Sequence, residues 1–117
     1  MTPDSTQPFE MHMEEADTYA LVRISGSAGM TEADTIRDAL ERLAEKQYPS
    51  VILDLSGMTF ICSMGLGALI TGHLKSRHHN GRIKLVGPQP PVRRLLETTR
   101  LNKLFPVYQS VQAARQD

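Results

Sequence analysis

Cysteine is nearly absent: the 117-residue chain holds one, Cys62. A single thiol excludes an internal disulfide and a cysteine-built zinc cluster. Tryptophan is missing and Phe and Tyr together make up 5% of the chain, so Leu, Val, Ile and Met must fill the core. Net charge is lacking too. The 13 Lys and Arg balance 13 Asp and Glu, so no global field draws this chain to nucleic acid or to an anionic membrane. The small basic groups, Arg77 to His79 with Arg82, and Arg93-Arg94, read as solvated faces. No apolar run approaches the roughly 20 residues that span a bilayer, and no basic stretch followed by an apolar one opens the chain. A cytoplasmic protein without direct membrane insertion is expected. His12, His73, His78 and His79 lack ligand spacing, and adjacent His78 and His79 point different ways on a helix. Neither a metal nor a cofactor is expected.

What is present is a strand and helix pattern that fits one domain, 9–117, behind a flexible N-terminal tail, 1–8, with two prolines and little to bury. Phe9 to Glu14 alternates apolar and polar residues, and Tyr19 to Gly26 reads as its hairpin partner. Ser25 to Met30 reads as a loop, with Thr31 as the N-cap of an amphipathic helix carrying Ile36, Ala39, Leu40 and Leu43 inward. Val51 to Leu55 is the central strand. A second helix runs from Ser63 to about His79, with Leu66, Leu69/Ile70 and Leu74 inward, and Asn80-Gly81 stops it. Arg82 to Gly87 is a fourth strand, and Pro90-Pro91 opens a third helix bearing Val92, Leu95 and Leu96. A short edge strand over Phe105 to Tyr108 and a terminal helical turn over Val111 to Arg115 complete the order. Strand and helix alternate in the later part, which implies parallel pairing through crossover helices and an α/β fold.

The most informative stretch is residues 54–68, DLSGMTFICSMGLGA. It sets Ser63 after a short connection at the positive end of a helix, where backbone N–H groups lack intrahelical partners and an anion is stabilised. Such a serine suits phosphorylation. It also suits plain N-capping, and local physics favours the latter.

Val51-Ile-Leu-Asp-Leu55, Phe60-Ile-Cys-Ser-Met-Gly-Leu-Gly67 and Pro91-Val-Arg-Arg-Leu-Leu96 with Leu101-Asn-Lys-Leu-Phe105 together resemble the STAS family, the fold of bacterial anti-sigma factor antagonists. The resemblance covers nearly the whole chain from Phe9. It implies a mixed sheet of about five strands with an N-terminal hairpin and about four helices. By position it makes Ser63 the phosphoacceptor and Gly65 the glycine that follows. Cys62 stands where phosphorylatable members carry Asp, Met64 where they carry Ser or Thr, and Arg100 where a glycine is common. A further acidic residue of the family falls near Gly29.

The resemblance implies an anti-sigma factor antagonist in a partner-switching cascade. Met30, Thr31, Cys62, Met64, Gly65 and Leu66 would contact an anti-sigma factor of the histidine-kinase-like serine kinase type. Phosphate on Ser63 would weaken that contact and a serine phosphatase would restore it. The alternative is a STAS scaffold or transporter-associated module without regulatory phosphate, favoured by the thiol at Cys62, a weak substitute for a carboxylate. Enzymatic activity is not expected: His73 lies ten residues along the same helix from Ser63, and Gly65-Leu66-Gly67 lacks the spacing of a phosphate-binding loop.

Overall fold

The computed structural model describes residues 8–117. The expected N-terminal tail therefore lies, apart from Pro8, outside the described residues. Strand β1 (Glu10–Glu15) pairs antiparallel with β2 (Tyr19–Ala28). Three successive crossovers follow: α1 (Met30–Glu45) leads to β3 (Ser50–Ile61), α2 (Ser63–Arg77) to β4 (Arg82–Val86), and α3 (Pro90–Thr98) with a 3-10 turn (Leu101–Lys103) to β5 (Val107–Tyr108). Helix α4 (Val111–Gln116) ends the chain. The five strands lie in the order β1-β2-β3-β4-β5, parallel from β2 onward.

Every crossover steps in the same direction, so right-handed connections place α1, α2 and α3 on one face of the sheet. The packing agrees. Ala20, Val22, Ile24, Val51, Leu53, Leu55, Ile83 and Leu85 share a core with Ile36, Leu40 and Leu43 of α1, Leu66 and Leu69 of α2, and Val92 and Leu96 of α3. Each fully buried Leu or Ile contributes about 1.5–3 kcal/mol relative to exposure. The alternate residues Leu21, Ile52 and Val86 point to the other face, where Ala114 of α4 covers them.

The structure corrects several expectations. Strand β2 continues through Ser25 to Ala28, where a loop was expected, because it keeps pairing with a β3 that runs on to Ile61. Register shifts between Arg23 and Ser25 and between Gly26 and Ser27 absorb the break in alternation. Gly26, at φ 81°, is needed at this bulge: a Cβ there would sit 1.9 Å from the Pro8 carbonyl oxygen. The N-cap of α1 is Gly29, not Thr31, and Met30 is its first helical residue. Leu74 faces solvent at 54% exposure. The inward face of α2 is lined instead by Gly65, Leu66, Ala68, Leu69, Gly72 and Ser76, and at 100° per residue Leu74 falls opposite that stripe.

Candidate functional site

The carboxyl ends of β2 and β3 lie side by side and each feeds a helix. Ala28 and Ile61 are register partners, and the Cys62 N–H donates to the Ala28 carbonyl at 3.0 Å. The starts of α1 and α2 are thereby held together at the carboxyl edge of the sheet, the usual place for a site in an α/β fold. Strand β4 stops pairing with β3 at Asp54, whereas β2 follows β3 to Ile61, so these two strands project as an arm past β4. Asp54 Oδ1 accepts from the Ser56 N–H at 3.0 Å and from its hydroxyl at 2.7 Å, and Gln89 Nε2 donates to the Ser56 carbonyl at 2.7 Å. These bonds fix the root of the arm.

The two helix starts differ in charge. At α1 the Gly29 N–H donates to Glu32 Oε1 at 2.9 Å, which places a carboxylate over the exposed amides of the first turn. At α2 the N-cap is Cys62, half-buried, with no side-chain hydrogen bond, and the first turn holds no acidic residue. Ser63 is therefore the first helical residue and not the N-cap. It is exposed, beside the orphan amides of that turn.

Of the residues expected to meet a partner, Met30 (67% exposed), Met64 (46%) and Thr31 are at the surface. Gly65 and Leu66 are buried beneath them: Gly65 packs on Ile61 and Leu66 joins the core. They shape the surface from below and do not form it. Sequence reasoning missed Phe60, 45% exposed on the arm and paired in register with Ser27. Its signal was an aromatic in a chain with three phenylalanines. Strict alternation from Val51 did not anticipate the bulge that resets which side chains face out.

His73 sits about 15 Å along α2 from Ser63 at 1.5 Å per residue, edge-on to Phe105 at 5.5 Å between ring centroids. Burial, aided by Arg77, lowers its pKa from 6.5. His12 lies on β1 with Glu10 at 3.4 Å. A surface hollow of about 350 Å³ lies between α1 and α2, lined by residues including Glu41, Lys75, His78 and His79, near the end of α2 opposite Ser63. Among the described residues no group of three or more His, Cys, Asp or Glu is arranged to hold a metal ion, and no helix is long and apolar enough to cross a membrane.

Comparison with known proteins gives this geometry a family. The chain is 28% identical over 100 residues to the anti-sigma F factor antagonist of Paenibacillus polymyxa, covering 85% of this chain and 86% of the relative. The crystal structure of an anti-sigma factor antagonist from Mycobacterium paratuberculosis superposes with a TM-score of 0.83 at 28% identity, over 98% of this chain and 95% of the other. The anti-sigma factor antagonist SpoIIAA in its unphosphorylated form shares the fold, with a TM-score of 0.79 at 18% identity over 89% and 92% of the two chains. The family model for the STAS domain matches residues 10–114, from β1 into α4, and the chain belongs to that family.

Proposed function

We propose that this protein is an anti-sigma factor antagonist in a partner-switching cascade. It binds a histidine-kinase-like anti-sigma factor through the surface around Met30, Phe60, Ser63 and Met64. That partner phosphorylates Ser63. The observation that carries the reading is the exposed Ser63 hydroxyl on a helix start with no carboxylate in its first turn and no side-chain cap.

The physical logic is a balance of two environments. The Ser63 hydroxyl oxygen attacks the γ-phosphorus of partner-bound ATP, ADP leaves, and the hydroxyl proton passes to a base. The product carries about −1.5 to −2 charges. Within this chain the orphan amides of α2 tolerate that charge. In a complex it would be desolvated among the exposed apolar side chains Met30, Phe60 and Met64, which serve as adaptable anchors while they stay uncharged. Affinity therefore falls on phosphorylation, and a serine phosphatase restores it.

A second reading keeps the docking surface and drops the phosphate. It is favoured by Cys62, which gives Ser63 a neighbouring thiol in place of a carboxylate that could orient the hydroxyl. Capture from the native cell with wild type, Ser63→Ala and Ser63→Asp, with phosphopeptide mapping, separates the two. Partner switching predicts that wild type and Ser63→Ala retain a kinase-type ATPase, that Ser63→Asp loses it, and that phosphate maps to Ser63. Equal capture of one scaffold or transporter protein by all three forms, without phosphate on Ser63, would establish the constitutive module.

A further inference from the structure

We infer that Glu32 is a positioning residue for Ser63, acting through one peptide group. The functional meaning rests on the reading of Ser63 above; the coupling itself does not. The Gly29 N–H donates to Glu32 Oε1 at 2.9 Å, and the Ala28 carbonyl accepts from the Cys62 N–H at 3.0 Å. Both groups belong to the same peptide, Ala28–Gly29. No peptide bond among the described residues is cis, so its N–H and C=O point opposite ways. One carboxylate thus grips one side of the peptide while the residue before Ser63 hangs from the other.

A hydrogen bond to an ionised acceptor is about twice as strong as a neutral one, and a bond on the N–H polarises the carbonyl of the same peptide. Glu32 therefore strengthens the bond that holds Cys62. Cys62 is the hinge of the site: its N–H reaches back to Ala28 while its own carbonyl accepts from the Leu66 N–H at 3.1 Å, the first bond of α2. Fixing both sides of Cys62 fixes where Ser63 leaves the helix start. Gly29 keeps the carboxylate in place, since a Cβ there would lie 3.1 Å from Glu32 Oε1. The same contact sets the start of α1 with Met30 against the start of α2 with Met64. Glu32 thereby orients two apolar side chains and the hydroxyl together.

The test needs no partner. In the NMR spectrum of the intact protein at neutral pH, Glu32→Ala, which removes the acceptor from the Gly29 N–H, should move the Cys62 amide proton resonance. The shift should be smaller in Glu32→Gln, which keeps a neutral acceptor, and absent in Asp34→Asn, which removes the neighbouring carboxylate of the same turn that pairs with Arg37 at 2.6 Å. Glu32→Ala should speed exchange of the Cys62 amide about 10-fold relative to the sheet amides of Leu53, with Glu32→Gln recovering most of that protection. A Cys62 resonance that stays in place in Glu32→Ala, or an Ala variant that loosens only the first turn of α1, overturns the inference. A coupling that is present while Ser63 never carries phosphate leaves the inference standing and removes the partner switch.

Discussion

Gly65 rests against Ile61 so closely that a Cβ on the glycine would lie 2.6 Å from Ile61 Cγ1 and 3.0 Å from Cδ1. The first turn of α2 is thus seated directly on the end of β3, and that close approach aims Ser63 outward. Gly67, two residues on, is exposed and a Cβ there meets nothing within 4 Å. The two glycines should respond oppositely to the same change. Gly65→Ala forces Ile61 or the helix to move and should destabilise by about 1–3 kcal/mol. Gly67→Ala should stabilise by about 0.5–1 kcal/mol through helix propensity. Urea denaturation of the two variants decides it; equal effects would mean that the Gly65 contact is not what holds the turn.

Arg100 adopts a left-handed conformation at φ 62° as N-cap of the 3-10 turn. This is the position where the family resemblance expects a glycine, and an L side chain there costs roughly 1 kcal/mol. Arg100→Gly should therefore raise stability by up to about 1 kcal/mol, which is a rise of at most about 4–8 °C in Tm for a domain near 100 residues. Arg100→Ala keeps the strain and should not. Matching gains for both variants would assign the effect to the arginine side chain and not to the backbone.

Much of the fold was legible because local periodicity reflects burial when one face of an element is covered. The amphipathic α1 reads that way, with Ile36, Ala39, Leu40 and Leu43 all buried. Three features depended on distant chain segments. The extension of β3 to Ile61 is paired by β2 and interrupted by the register shifts near Gly26, so no local pattern marked it. The inward face of α2 is made of small residues that let it approach the sheet and α1, with Gly72 against Leu40 and Ile83. Leucine spacing therefore misassigned Leu74. Lys84 alternates as an outward residue of β4 and is nevertheless 3% exposed, because α4 returns from the end of the chain to cover that face. Ser63, Met30 and Met64 were legible as residues at the two helix starts, where all three are exposed. Glu32 and Phe60 emerged only once the two strands were seen to run side by side.

Helices α1 and α2 are joined by an ion pair, with Lys75 Nζ 2.8 Å from Glu41 Oε2. The hydrogen bond from Lys75 holds the Glu41 carboxyl below its ordinary 4.5, against an opposing effect of burial. The same bond holds Lys75 above its ordinary 10.5. A lowered carboxyl contributes stability above its unfolded value and loses it as pH falls through the folded one; a raised ammonium contributes below its unfolded value and loses it as pH rises through the folded one. The pair should therefore act in full at neutral pH and fade at both extremes. The difference in urea midpoint between wild type and Lys75→Met should shrink as pH falls below 4.5. A difference that persists undiminished in acid would place its origin in the packing of the lysine stem.

Lys84 binds α4 to the second face of the sheet from within: its Nζ donates to the backbone oxygens of Ala114 at 2.8 Å and Asp117 at 2.7 Å. The Tyr108 ring lies 5.8 Å away. Burial lowers the pKa of Lys84 from 10.5, Arg82 adds to that shift, and Asp117 opposes it. Between the lowered value and 10.5 the unfolded chain binds more protons than the native one, so this group makes stability rise with pH across that window. At neutral pH the buried charge is thus a net cost to the fold, and its two carbonyl partners offset part of it. Lys84→Met should leave the global urea midpoint unchanged or higher, since an apolar side chain of similar length removes the desolvation cost. The same variant should release α4, with the Ala113 and Ala114 amides exchanging about 10-fold or more faster. An unfolding free energy that falls by several kcal/mol while α4 stays protected would show that Lys84 supports the whole sheet and not the placement of its last helix.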